Sequence, residues 1–182
     1  MSKEQLYIFD TTLRDGAQTQ GVDFSIDDKE KISSALDLLG VDYVEGGWPG
    51  ANPTDTEFFN KDHNFKSTKL TAFGMTKKSE HSAENDPMLS SLINSKSSSV
   101  CLFGKSWDFQ VKVALGITND ENLTNISEST KHIVKSGKEF MFDAEHFFDG
   151  YKSNPEYALS CLKASYDNLS LIHISEPTRH NS

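Results

Sequence analysis

Two acids, an arginine and an amide fall within the run Asp10-Thr11-Thr12-Leu13-Arg14-Asp15-Gly16-Ala17-Gln18, directly after the apolar stretch Leu6-Tyr7-Ile8-Phe9. That stretch alternates little, which predicts a buried strand. The polar groups then sit at the strand's C-terminal end, where parallel α/β folds place their chemistry. Asp15 offers hard oxygen atoms to a divalent metal. Arg14 offers a planar, permanently charged fork for a carboxylate or a developing oxyanion. Gly16 lets the chain turn away sharply. The residue types alone leave two readings, a reactive site and a salt-bridged strand end, because structural ion pairs look the same.

Groups of this kind need a scaffold, and the chain alternates strand and helix throughout. Strands are expected at residues 6–11, 41–46, 70–75, 99–103 and 140–144. Ser25 caps a first helix, with Asp27 and Asp28 suited to its dipole, Ile32, Ala35, Leu36 and Leu39 at helical spacing, and Gly40 as its stop. Thr54 is expected to cap a short helix through Phe58 and Phe59. Further helices follow near Pro87–Ile93 and Asn119–Lys135, with Gly137 ending the latter. The stretch from Asp108 to Leu115 fits a short helix or an irregular loop. Pro155 opens a last helix with Tyr157, Ala158, Cys161, Leu162 and Ala164 inward. Five β-then-α units in series mean a parallel sheet with right-handed crossovers. With 182 residues the chain suits one domain. A doubly wound sheet fits that length, whereas a whole (β/α)8 barrel needs about 250 residues.

The net charge of −9 favours solubility and disfavours nucleic acid and anionic membranes as partners. Cys101 and Cys161 lie far apart without metal-type spacing and read as reduced core thiols. No apolar leader follows Met1, and no stretch approaches the length of a membrane span, so a cytoplasmic location is expected.

The Asp10–Gln18 run resembles the signature of the DRE-TIM metallolyase family, which includes 2-isopropylmalate, homocitrate and citramalate synthases and HMG-CoA lyase. Two further segments, Tyr43-Val44-Glu45-Gly46-Gly47-Trp48-Pro49-Gly50-Ala51-Asn52-Pro53 and Phe142-Asp143-Ala144-Glu145-His146-Phe147-Phe148-Asp149-Gly150-Tyr151, resemble the citramalate synthase branch. The likeness covers residues 5 to 168 and implies an α/β fold that is a partial (β/α)8 TIM barrel, about its first five βα units. It implies a pyruvate carboxyltransferase-like acyltransferase that condenses acetyl-CoA with a 2-oxo acid, pyruvate in this branch, on the isoleucine route. It also implies a divalent metal (Mg²⁺, Mn²⁺ or Zn²⁺) and a homodimeric full-length protein. On the matched positions, Asp15 is the metal carboxylate and Arg14 the oxyanion and carboxylate partner. Glu145 contacts substrate or helps to move the proton. Gln18 reaches the metal water or the thioester. Glu45 orients Arg14, and Asp10 fixes backbone nearby. Trp48 and Phe103 either line the pocket or pack. The family completes its metal with a His-x-His pair on a later strand, which this chain lacks, and His146 beside Phe147 reads as packing. The fragment is therefore expected to be inactive by itself.

From Asn168 the character changes. Leu169-Ser170-Leu171-Ile172-His173-Ile174-Ser175-Glu176-Pro177-Thr178-Arg179 resembles a translated transposase sequencing adapter. Residues 1–168 are thus read as the barrel part and 169–182 as a non-native tail that forms no sixth ladder strand, with His173 and His180 excluded as ligands.

Overall fold

The computed structural model describes residues 6–168 and 172–174. Six strands run parallel in the order of the sequence: β1 (Phe9–Asp10), β2 (Tyr43–Gly47), β3 (Lys69–Met75), β4 (Ser99–Lys105), β5 (Glu139–Glu145) and β6 (Ile172–Ile174). Helices α1 (Ile26–Leu39), α2 (Pro53–Asn60), α3 (Pro87–Asn94), α4 (Asp108–Gln110), α5 (Asn119–Lys135), α6 (Phe147–Ser153) and α7 (Pro155–Tyr166) lie between them. The sheet curls with one face inward, giving part of a (β/α)8 barrel as expected. Among the described residues no helix is long and apolar enough to cross a membrane.

Period-2 alternation separates two cores. Outward-pointing Val44, Leu70, Ala72, Val100, Leu102, Phe140 and Phe142 pack against Phe58, Phe59, Leu89, Leu92, Ile126 and Ile133. Inward-pointing Tyr43, Phe73, Cys101 and Met141 fill the barrel, with Phe9, Trp48 and Phe103 against them. At the barrel floor Tyr43 Oη donates to Glu139 at 2.6 Å and Lys69 Nζ donates to the same carboxylate at 2.6 Å, so three strands share one polar node.

Capping set several boundaries as the sequence predicts. Ser25 and Asp28 form a capping box at α1, and Gly40 ends that helix in the left-handed region with φ 86°. Other details differ. The cap of α2 is Asn52, not Thr54: its side chain accepts from Asp55 N at 2.8 Å, and Pro53 takes the first helical position. β1 is shorter than 6–11: at its end Thr11 O accepts from the N–H groups of Arg14, Asp15 and Gly16, which folds the chain off the sheet, and at its start Ile8 N donates to the Asp42 side chain at 2.7 Å. Ala35 and Leu39 face outward; Leu39 is 76% exposed, and α1 turns Lys29, Ser33 and Asp37 inward instead. The 108–115 stretch is α4 continued by π-helical Val111–Leu115. Helix α6 was not expected.

The expectation of no sixth strand is corrected: Met141, Phe142 and Asp143 pair in parallel register with Ile172, His173 and Ile174. β5 presents a row of unpaired backbone groups that any short extended segment can satisfy, so pairing here needs little from the sequence. The rest of the 169–182 tail, with His180, lies outside the described residues.

Candidate active site

The C-terminal ends of β1, β2, β4 and β5 bring the predicted residues together. Thr11 O gathers three successive N–H groups and sets the turn that aims Arg14 and Asp15 over the barrel mouth. Asp10 accepts from Thr12 N at 3.0 Å and Thr12 Oγ1 at 3.1 Å, a backbone-fixing role. Arg14 Nε donates to Glu45 Oε2 at 2.6 Å, with side-chain exposures of 13% and 1%. Its guanidinium carbon lies 3.9 Å above the centre of the Phe73 ring. One edge of the fork is thus held by a carboxylate and one face by an aromatic ring. Asp15 stands 3.6 Å from Arg14 Nη1.

Across the mouth, Glu145 ends β5. Lys105, its register partner on β4, lies 2.7 Å from Glu145 Oε2. The next residue, His146, has a left-handed backbone with φ 58°, rare for a residue with a side chain, and turns the chain abruptly from β5 into α6. Its Nε2 is 3.9 Å from Glu145 Oε1, so it is a neighbour of the site as well as a packing residue against Trp107. A cavity of about 310 Å³ is bounded by Arg14, Asp15, Gln18, Asp143 and Glu145, with an aromatic wall of Trp48, Phe73 and Phe103. The wall is rigid: Trp48 meets Phe73 and Phe103 edge-to-face, each at 5.8 Å. A second cavity of about 430 Å³ adjoins it, sharing Arg14, Gln18 and Trp48 and reaching Lys29 and Asp55.

Arg14, Asp15, Gln18 and Glu145 therefore share one cavity, and Glu45 contacts it through Arg14. Four residues that matter were not singled out from the sequence. Asp143, buried, faces the cavity two residues before Glu145, so the strand period that placed Glu145 also placed it. Lys105 is opposite Glu145 only through register. Lys29 and Asp55 are a buried pair whose spacing in sequence carries no signal. Beyond β4, Cys161 is buried and its thiol is pushed up to about 11 by desolvation.

The cavity combines a clamped guanidinium, a carboxylate-rich wall and a dry aromatic side. Such a site can bind a small anionic carbonyl compound, stabilise an oxyanion and shelter a proton transfer from water. Among the described residues no group of three or more His, Cys, Asp or Glu side chains could hold a metal ion.

The HMGL-like family model matches residues 5–175. The (R)-citramalate synthase of Aquifex aeolicus is 52% identical over 164 residues, 89% of this chain and 31% of that protein. The 2-isopropylmalate synthase of Sulfolobus acidocaldarius is 29% identical over 92% of this chain and 41% of its own length. The chain thus spans about 31% of the (R)-citramalate synthase it matches. In structure it is similar to the Bacillus subtilis HMG-CoA lyase, with a TM-score of 0.75 at 14% identity, covering 94% of this chain and 57% of that one.

Proposed function

Since this chain belongs to the HMGL-like family, we propose that it is the N-terminal portion of a citramalate synthase, which condenses acetyl-CoA with pyruvate for isoleucine synthesis. The observation that carries the reading is the 2.6 Å Arg14–Glu45 contact at the edge of a cavity shared with Asp15, Gln18 and Glu145, in a chain 52% identical to such a synthase.

Arg14 binds the keto acid's carboxylate or the alkoxide oxygen that forms on its keto carbon. Charge develops on that oxygen only in the transition state, so a pre-aimed cation lowers the barrier rather than merely tightening binding. Glu45 and Phe73 keep Arg14 aimed. Glu145 lies across the cavity and handles the proton lost from the thioester methyl, or orients the group that does. Lys105, 2.7 Å from Glu145 Oε2, holds that carboxylate in place. Gln18 hydrogen-bonds the thioester or a water near it, and the Trp48–Phe73–Phe103 wall excludes bulk water. The described residues do not by themselves make a centre for the divalent metal of this family. Asp15 would supply one oxygen arm to that metal, which when bound would polarise the keto acid as a Lewis acid. The full-length protein acts as a cytoplasmic homodimer; in this chain residues 1–168 are its barrel portion and 169–182 an adapter-derived tail.

The test is thiol release from acetyl-CoA by the full-length protein with pyruvate, 2-ketoisovalerate and 2-ketoglutarate in turn. Pyruvate is expected to give the highest kcat/KM. Preference for either larger keto acid would replace the reading with another synthase of the family.

A further inference from the structure

The ladder between β1 and β2 ends early, with only Phe9–Tyr43 and Asp10–Val44 in register. Arg14 and Glu45 lie beyond it. β2 also carries a register shift against β3 between Glu45 and Gly47, so Gly46 bulges out of the ladder. Something other than sheet pairing must hold these two strand ends together.

The structure assigns that task to Lys29, a residue 3% exposed on the inward face of α1. Its ammonium donates to Leu13 O at 3.1 Å, to Gly46 O at 2.7 Å and to Asp55 Oδ1 at 2.5 Å. Leu13 immediately precedes Arg14, and Gly46 immediately follows Glu45. One ammonium, with its three donors used, therefore binds the backbone on either side of the Arg14–Glu45 contact. Asp55 extends the tie: its other oxygen accepts from Trp48 N at 2.8 Å and from Asn52 Nδ2 at 2.9 Å. Gly47 is required beside it, since a Cβ there would lie 2.5 Å from the Asp55 carboxylate. Lys29 and Asp55 are thus positioning residues that set where Arg14 points. They touch no reacting atom, and the reading of Arg14 above is their premise.

The experiment uses the full-length protein with arginine labelled at Nε. In the wild type, Arg14 Nε–H, held by Glu45, should give a downfield, slowly exchanging resonance that Arg14→Lys removes. In Lys29→Met that resonance should move or broaden, kcat should fall about 100-fold, as a misplacement near 1 Å commonly causes, and KM for acetyl-CoA should stay within about twofold. Lys29→Met/Asp55→Leu fills the site with apolar groups and should regain the melting temperature without regaining kcat. If Lys29→Met does not fold, Asp55→Asn, which keeps the shape, should displace the same resonance. Return of kcat together with melting temperature in the double variant would show a merely structural role and overturn the inference. So would an unchanged Arg14 resonance with wild-type kcat in Lys29→Met. If the resonance responds but no keto acid is turned over by the wild type, the positioning inference stands and the proposed function falls.

Discussion

Glu45→Gln is the most informative single change, because it keeps the side chain's shape and one oxygen for Arg14 Nε while removing the charge. The contact is 2.6 Å between side chains 13% and 1% exposed, so little solvent screens it. Hydrogen bonds to charged groups contribute about 1.5–3 kcal/mol; the doubly charged Arg14–Glu45 bond belongs at the upper end and the bond in which only Arg14 keeps its charge at the lower end. The substitution should cost about 1–1.5 kcal/mol of transition-state stabilisation, or about tenfold in kcat/KM at about 1.4 kcal/mol per decade. Glu45→Ala instead leaves a nearly enclosed guanidinium without its carboxylate. Breaking a buried pair that way costs about 3–5 kcal/mol, about 150-fold or more. Both losses are capped by that of Arg14→Ala if Glu45 acts through Arg14. On the Arg14→Ala background, Glu45→Gln should therefore change the residual rate by less than about twofold. The assay is initial-rate thiol release in the full-length protein, with near-UV circular dichroism as the fold control. Equal losses from Glu45→Gln on both backgrounds would show an independent role for Glu45 and refute the reasoning, as would Glu45→Ala within about threefold of wild type.

Gly47→Ala should lower the melting temperature by the equivalent of about 1–3 kcal/mol, because φ is 138° there and the added Cβ meets Asp55 at 2.5 Å. A melting curve matching wild type would argue against the tight Asp55 seat. Asp37 accepts N–H groups from Lys66, Ser67 and Thr68, and those bonds hold its carboxyl down to about 2 from 3.8. Its stabilising effect is full above about pH 4 and is lost as pH falls through 2, so Asp37→Asn should flatten urea stability against pH between 4 and 2. An unchanged slope would mean that other carboxylates dominate. Cys161, buried with its thiol near 11, should resist alkylation at pH 8 until the protein is unfolded; prompt labelling of native protein would contradict its burial. The 182-residue chain alone should release no thiol above an Arg14→Ala control in pyruvate, acetyl-CoA and Mn²⁺, and measurable turnover would show that it carries a sufficient site.

Local chemistry made much of this protein legible in its sequence. Strand–helix alternation, the Ser25 and Gly40 caps and the Asp10–Gln18 run depend on neighbours a few residues apart, and they placed five βα units and put Arg14, Asp15 and Glu145 at strand ends. The tertiary structure decided what depends on distant partners. Lys29 reads as one more solvated charge of an acidic helix start, yet it is buried because two carbonyls outside the ladder and Asp55 converge on it. Its spacing of four with Ser33 and Asp37 was the available signal, hidden because an inward helix face is normally sought among apolar residues. Asn52 rather than Thr54 caps α2 because its side chain accepts from Asp55 N, while its amide and Trp48 N hold the Asp55 carboxylate. Lys105 meets Glu145 only through β4–β5 register, and β6 pairs through backbone groups that composition does not reveal. Sequence specifies which groups are present and which local turns they favour; which charges lose their water is settled only when separate elements close around them.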